Sequence, residues 1–210
     1  MVIKCLRVGN LTTNCYLTID EGTSETLIID PGDEGDFIST VVLENQLLPT
    51  GILLTHGHYD HCLAALELKL NFNIPIYLHQ KDLFLYEKAH LSAKHFSGLF
   101  SPKLPPVDKY LAEDDRINFG NSILKVIHTP GHTPGSCCFL SSSEIRDLRS
   151  DILFTGDTLF ANGVGRSDLS YSSKSDLQKS LSKLRTISHE QQTSPLIYPG
   201  HEDYGVFHKS

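Results

Sequence analysis

At 210 residues the chain is long enough for one large domain with a real core, and too short for a comfortable pair. A 40% hydrophobic fraction with no apolar run of membrane-spanning length points to a soluble globular protein, and a net charge of −7 argues against a phosphate-backbone footprint. Neither a membrane nor a nucleic acid is therefore expected as a partner. Five cysteines, odd in number and without a C-x-x-C pair, read as small, reduced, buried side chains of a cytoplasmic protein, and Met1-Val2-Ile3-Lys4-Cys5 leads straight into a strand with no signal-peptide core.

In chain order, apolar runs predict strands near 2–8, 14–20, 25–30, 51–55, 74–78, 122–128, 136–141, 151–155 and 195–198. Helices are predicted over about 36–46, 61–71, 80–90 and 174–187, the last showing Leu177, Leu181 and Leu184 on one face. Hairpins at both ends with helices outside imply an α/β fold, an αββα sandwich of two mixed β-sheets within a single domain spanning 1–210. Leu91 to Pro106 is the least regular stretch; it either overhangs an active site or is a solvent-exposed connection.

The most informative run is Thr55-His56-Gly57-His58-Tyr59-Asp60-His61, with three imidazoles and a carboxylate within six positions. Histidine is the commonest metal ligand, and side chains two apart on an extended backbone share a face, so His56 and His58 can bind one ion together. Asp60 and His61 can turn toward a second position, giving a donor set suited to zinc, iron or manganese. An affinity tag or solvated loop would lack what flanks this run. An apolar strand, Gly51 to Thr55, precedes it, and a helix opening on Asp60 as its N-cap is expected to follow.

Further metal-ligand types fall where strands end. The strand 122–128 runs into the rigid turn Thr129-Pro130-Gly131-His132-Thr133-Pro134-Gly135, the strand 151–155 into Gly156-Asp157, and the strand 195–198 into Pro199-Gly200-His201. The motifs T-H-G-H-Y-D-H, H-T-P-G-H-T-P-G-S, T-G-D-T-L-F and Y-P-G-H, in this order over about residues 8–201, resemble those of the metallo-β-lactamase superfamily and, within it, the type II glyoxalases, which are hydroxyacylglutathione hydrolases.

The resemblance implies a first ion held by His56, His58 and His132, a second by Asp60, His61 and His201, and Asp157 bridging both, with Asp60 and Asp157 the carboxylates of catalysis. Asp30 resembles the carboxylate that orients a ligand imidazole, although D-P-G is also an ordinary turn. His128 is expected to be structural or to support a ligand from behind, and His79, His90, His95, His189 and His208 to be surface residues. Two divalent ions, zinc first with iron or manganese also suited, would share a water about 3.5 Å from ion to ion and generate hydroxide at neutral pH. The implied reaction is hydrolysis of a small-molecule thioester such as S-lactoylglutathione. The chain has no G-x-S-x-G elbow for a serine hydrolase.

Arg166 matches a basic residue of the family's glutathione clamp. Asp168 and Asp203 stand where its tyrosines are expected, Tyr204 comes one residue late, and the chain stops nine residues after His201, where a helical domain would follow. The implied type is therefore a short, single-domain relative. Other readings on the same residues are a persulfide dioxygenase with one iron on His56, His58, His132 and a carboxylate, a lactonase or phosphodiesterase, and a non-enzymatic metal-binding module. A β-lactamase fits less well, since Asp157 stands where the resembling lactamases carry cysteine or serine.

Overall fold

The computed structural model describes residues 1–141, 151–190 and 195–206, with backbone only at 189 and 190. One six-stranded sheet has the order β1 (Val2–Val8), β2 (Thr13–Ile19), β3 (Glu25–Ile29), β4 (Leu48–Leu53), β5 (Ile76–His79), β6 (Lys109–Leu111). The other runs β14 (Gly205–Val206), β13 (Leu196–Pro199), β10 (Ile152–Gly156), β9 (Cys137–Ser141), β8 (Ser122–His128), β7 (Arg116–Phe119). Both sheets are mixed: β3 to β6 pair in parallel behind an antiparallel β1–β2–β3 meander, and β10 pairs in parallel with β13 beside an antiparallel β7 to β10. A small hairpin, β11 (Leu159–Phe160) and β12 (Gly163–Val164), stands apart from them.

Alternation along the strands shows how the layers are held. On β3, Leu27 and Ile29 face the second sheet, while Ile28 faces the helices. On β9, Cys137 and Phe139 face the first sheet, and Cys138 and Leu140 turn outward. Side chains two apart share a face, so each strand supplies two cores at once, which is why the runs read as continuous hydrophobic segments. Helices α1 (Gly35–Glu44) and α2 (Ala65–Phe72) cover one face through Ile38, Val42 and Leu68, and α5 (Lys174–Glu190) covers the other through Leu184. The αββα sandwich is thus realised, with the inter-sheet layer centred on Tyr16, Phe139 and Phe154. Each such side chain contributes about 1.5–3 kcal/mol on burial.

Four local expectations are corrected, for Asp60, the 80–90 helix, the stretch from 91 and Cys5. Asp60 does not cap a helix: it lies in a 3-10 turn, Tyr59–His61, and α2 begins only at Ala65. The helix predicted over 80–90 breaks into a 3-10 turn, Gln80–Asp82, then α3 (Leu83–Tyr86) and α4 (Ala89–Ser97), because the Asp82 carboxylate turns inward to accept backbone N–H groups from two other loops. Helix α4 therefore occupies the start of the stretch expected to be irregular, and it ends at Gly98 in the left-handed conformation, φ 67°, an ordinary helix stop. Its last turn does reach the site region, where Tyr59 and Ser97 share a hydrogen bond of 2.7 Å. Cys5 is exposed on edge strand β1, and the other four cysteines are buried. Among the described residues no helix is long and apolar enough to cross a membrane.

Candidate metal centre

All of the strand ends singled out above open onto one edge of the sandwich. Beyond β4 come Thr55, His56 and His58; beyond β8 the turn with His132; beyond β10 Asp157; beyond β13 His201. Ligands in α/β sheets gather at the carboxyl ends of parallel strands for the same topological reason. Close approach here requires glycine, as Gly156 and Gly200 show. Gly156 adopts φ 48°, and a Cβ on it would lie 2.4 Å from Thr55 Oγ1; a Cβ on Gly200 would lie 2.4 Å from Asp157 Oδ1.

The donors form two clusters. In the first, His58 Nδ1 lies 3.0 Å from His56 Nε2 and 3.2 Å from His132 Nε2. In the second, His61 Nε2 lies 3.3 Å from His201 Nε2 and 3.6 Å from Asp60 Oδ2, and His201 Nε2 lies 3.3 Å from Asp60 Oδ2. Asp157 stands between them: Oδ1 is 3.6 Å from His61 Nε2, and Oδ2 is 3.6 Å from His132 Nε2 and 3.7 Å from His201 Nε2. His56, His58, Asp60, His61, His132, Asp157 and His201 are therefore brought together.

The outer nitrogens explain why the inner ones converge. His132 Nδ1 donates to the Arg166 carbonyl at 2.9 Å, and His201 Nδ1 donates to the Leu11 carbonyl at 3.1 Å. His61 Nδ1 donates to Asp30 Oδ2 at 3.0 Å. His56 Nδ1 donates at 3.0 Å to the Thr55 hydroxyl, whose own hydrogen goes to Asp30 Oδ2 at 2.6 Å. His58 Nε2 meets the Tyr171 hydroxyl at 2.6 Å. With the proton held on the outer nitrogen, the inner nitrogen is left as a lone-pair donor.

Such nitrogens facing one another cannot satisfy each other by hydrogen bonds. Among the described residues the buried Asp157 Oδ1 has no hydrogen-bond partner, and a cation between the clusters answers both deficits. The residues thus fit a pair of ions on the chemistry of the donor set itself. Asp30, His56 and His61 also lie close enough to share an ion, but the oxygens of Asp30 are already taken by His61, the Thr55 hydroxyl and, at 2.7 Å, the Thr55 N–H. Asp30 is an orienting group, held in the left-handed conformation at φ 51°.

Charge is divided unevenly. Burial and the surrounding imidazoles push His56 well below the ordinary histidine range, and burial together with His132 lowers His58 to about 4. Burial would lower His61 too, but the carboxylates of Asp60, Asp157 and Asp30 outweigh it and raise His61 to about 10. His201 is raised against its own burial by Asp60 and Asp157. Asp60 is held well below the usual carboxylate range, its burial outweighed by His61 and His201.

Tyr171, Asp82 and Thr55 went unread as site residues. Asp82 is fully buried and ties the two histidine-bearing loops together, accepting from Gly57 N–H (2.9 Å), Gly135 N–H (2.6 Å) and the Thr133 hydroxyl (2.6 Å). Burial raises its pKa, opposed by those hydrogen bonds. Only the fixed motif position of Thr55 was visible in advance; Tyr171 sits in a serine-rich run that reads as the approach to a helix.

Arg166 lies in the loop after β12, 70% exposed, with its guanidinium bound to both oxygens of Asp168 at 3.0 Å. Asp203 pairs with Arg7 and the Tyr204 ring stacks on Tyr198, so neither completes a clamp around Arg166. Among the other histidines, His128 is structural as expected, with Nε2 donating to the Pro134 carbonyl at 3.0 Å. His79 is half-buried rather than on the surface, its ring stacked on His128 at 4.1 Å. His90 is also half-buried and His95 is exposed, while the His189 side chain and His208 lie outside the described residues.

Comparison with known proteins agrees with this geometry. A family model described as "Metallo-beta-lactamase superfamily" matches residues 8–201. The chain is 34% identical over 212 residues to "Hydroxyacylglutathione hydrolase GloC" of Haemophilus influenzae, covering 97% of this chain and 92% of that protein. Among solved structures it is similar to BLEG-1, a B3 metallo-beta-lactamase, with 30% identity, a TM-score of 0.85 and coverage of 98% and 94%. It is also similar to TTHA1623 in a di-iron-bound form, with 35% identity, a TM-score of 0.84 and coverage of 97% and 94%.

Proposed function

Because the chain belongs to the metallo-beta-lactamase superfamily, a family of metal-dependent hydrolases, we propose that it hydrolyses thioesters, with S-lactoylglutathione the first candidate substrate. The observation that carries the reading is the pair of donor clusters spanned by one carboxylate, Asp157. His56, His58 and His132 would hold one ion, Asp60, His61 and His201 the other, with Asp157 shared. Zinc is the first choice for these ligands, and the di-iron-bound neighbour makes iron the second to test, ahead of manganese. When bound, the ions supply Lewis acidity, lowering the pKa of a water and polarising a carbonyl.

The chain's own residues do the rest. Asp157 fixes the spacing of the two clusters, its Oδ1 facing His61 and its Oδ2 facing His132 and His201. Asp30, through His61 and Thr55, orients rings of both clusters so that their inner nitrogens face the site. Arg166 offers a cation at the rim for a carboxylate of the thiol carrier, in competition with Asp168. Hydrolysis then breaks the C–S bond, water supplying the acid oxygen and the proton of the departing thiol.

The thioester assignment draws on the GloC relative and on Arg166. The test is metal analysis of protein purified without chelator, beside turnover of S-D-lactoylglutathione. About two equivalents of metal with thioester hydrolysis are expected. A single iron with O₂ uptake on a persulfide would replace this reading with the dioxygenase. Turnover of a β-lactam alone would align the chain with BLEG-1, and metal without turnover of any ester would leave a binding module.

A further inference from the structure

The loop from Gly165 to Ser173 is fastened to the segment after Asp157 and to the turn that carries His132. Gly165 N–H donates to the Thr158 carbonyl (3.2 Å), the Ser172 hydroxyl to the His132 carbonyl (2.7 Å), and Ser173 N–H to the Gly131 carbonyl (2.8 Å). From this frame two groups reach the first cluster: the Arg166 carbonyl on His132 and the Tyr171 hydroxyl on His58. One loop thus controls the outer nitrogens of two of its three imidazoles.

We propose that Tyr171 is a positioning residue for His58, its hydroxyl accepting the Nε2 proton so that Nδ1 stays free toward the first ion. The proposal rests on the ligand reading above and deepens it. Four of the imidazoles have outer partners whose role is fixed: two main-chain carbonyls, the Asp30 carboxylate, and a Thr55 hydroxyl already committed to Asp30. His58 is the exception. It is half-buried, and the phenol is the hydrogen-bond partner of its outer nitrogen among the described residues. Without that partner the ring is free to change tautomer and to turn about its Cβ–Cγ bond, and the inner nitrogen is no longer held as a lone-pair donor.

The Phe84 ring meets the phenol edge-on at 5.8 Å and 76°, a packing contact separate from the hydroxyl's bond to His58. Phe84 follows the 3-10 turn that delivers Asp82, so the same segment fixes the His58 loop through Gly57 and backs the side chain that aligns His58. Packing alone would keep Tyr171 at the rim, but would not bring its oxygen to 2.6 Å from a ring nitrogen.

Cobalt(II) titration of chelator-stripped protein, followed by visible absorption in competition with a chelator, tests this. Wild type is expected to take up two equivalents. Tyr171→Phe keeps the ring and should bind one of the two about 10–100-fold more weakly, with an altered absorption band, while the other equivalent is unchanged. Phe84→Leu, which removes the packing but not the hydroxyl, should keep both affinities within about threefold. Unchanged affinities and bands in Tyr171→Phe would overturn the proposal, as would equal weakening in Phe84→Leu, which would assign the effect to packing. No cobalt uptake by wild type would instead sink the ligand reading itself, an outcome visible before any variant is compared.

Discussion

The two donor clusters lie against each other and are built on opposite electrostatic plans. The first is all imidazole, and its outer partners are neutral: the hydroxyls of Thr55 and Tyr171 and the carbonyl of Arg166. The second contains a carboxylate, Asp60, and leans on another, Asp30, so its His61 rises to about 10 where His58 in the first falls to about 4. The first cluster is thus ready to bind a cation with lone pairs alone, and the second binds through charge. Asp157 stands between them, within 3.7 Å of donors of both.

Removing Asp157 breaks the comparison outright, because neither cluster keeps its shared oxygen. Asp157→Ala is expected to lose metal from both clusters and to lower hydrolysis on the order of 10³-fold, the scale seen when preorganised electrostatic groups are removed. Metal content and turnover should fall together. Wild-type metal content with retained turnover would show that Asp157 bridges nothing.

A finer cut separates the clusters. Asn at position 30 tolerates the left-handed backbone, but turns one acceptor oxygen into a donor. The N–H of Thr55 can keep the remaining oxygen, which leaves the new amide facing His61 Nδ1 and the Thr55 hydroxyl. His61 would then shift its proton to Nε2, the nitrogen needed for metal. Asp30→Asn should therefore weaken the second ion by about 10–100-fold and the first by less, read by the same competition titration. Equal loss at both would mean that the Thr55 relay to His56 matters as much as the direct bond.

The reverse asymmetry belongs to Asp82, whose partners Gly57, Thr133 and Gly135 are chain neighbours of His56, His58 and His132 in the first cluster. Asp82→Ala orphans the N–H groups of Gly57 and Gly135, each costing about 1–3 kcal/mol when left buried and unpaired. A stability loss of about 3 kcal/mol should lower Tm by roughly 6–12 °C for a chain of this length, measured on metal-free protein by thermal denaturation. The first ion should be weakened more than the second. A change in Tm below about 2 °C would show that the two loops hold their places without this carboxylate.

These variants also mark what could be seen in advance. The ligand residues were legible because they are side chains in short motifs placed just after apolar strands, and a buried strand ends where its site begins. Their supports were not. The carbonyls of Leu11 and Arg166 belong to no residue type, and Asp82 and Tyr171 act across long sequence separations that only the folded topology closes. Asp60 was misread as a helix cap because an aspartate before an apolar run has two uses, and here the histidines took it. β7 was missed although Arg-Ile-Asn-Phe alternates as a strand should, since four residues carry little signal beside a longer neighbour.

The smallest expected effect concerns the rim rather than either cluster. Arg166 supplies its carbonyl to His132 whatever its side chain, so truncating the side chain separates recognition from metal binding within one residue. The guanidinium is exposed and already paired with Asp168, an arrangement that contributes little to stability and leaves it available to a stronger carboxylate. Arg166→Ala should raise KM for a glutathione thioester by about 3–10-fold with kcat within a few-fold, and leave metal content and turnover of an uncharged thioester unchanged. Asp168→Ala should act in the opposite sense, lowering KM for the anionic carrier by removing its competitor. If both substitutions raise KM alike on charged and uncharged substrates, the Arg166–Asp168 pair is a brace for the loop that holds His132 and His58, and the rim is then an extension of the first cluster rather than an anchor for the substrate.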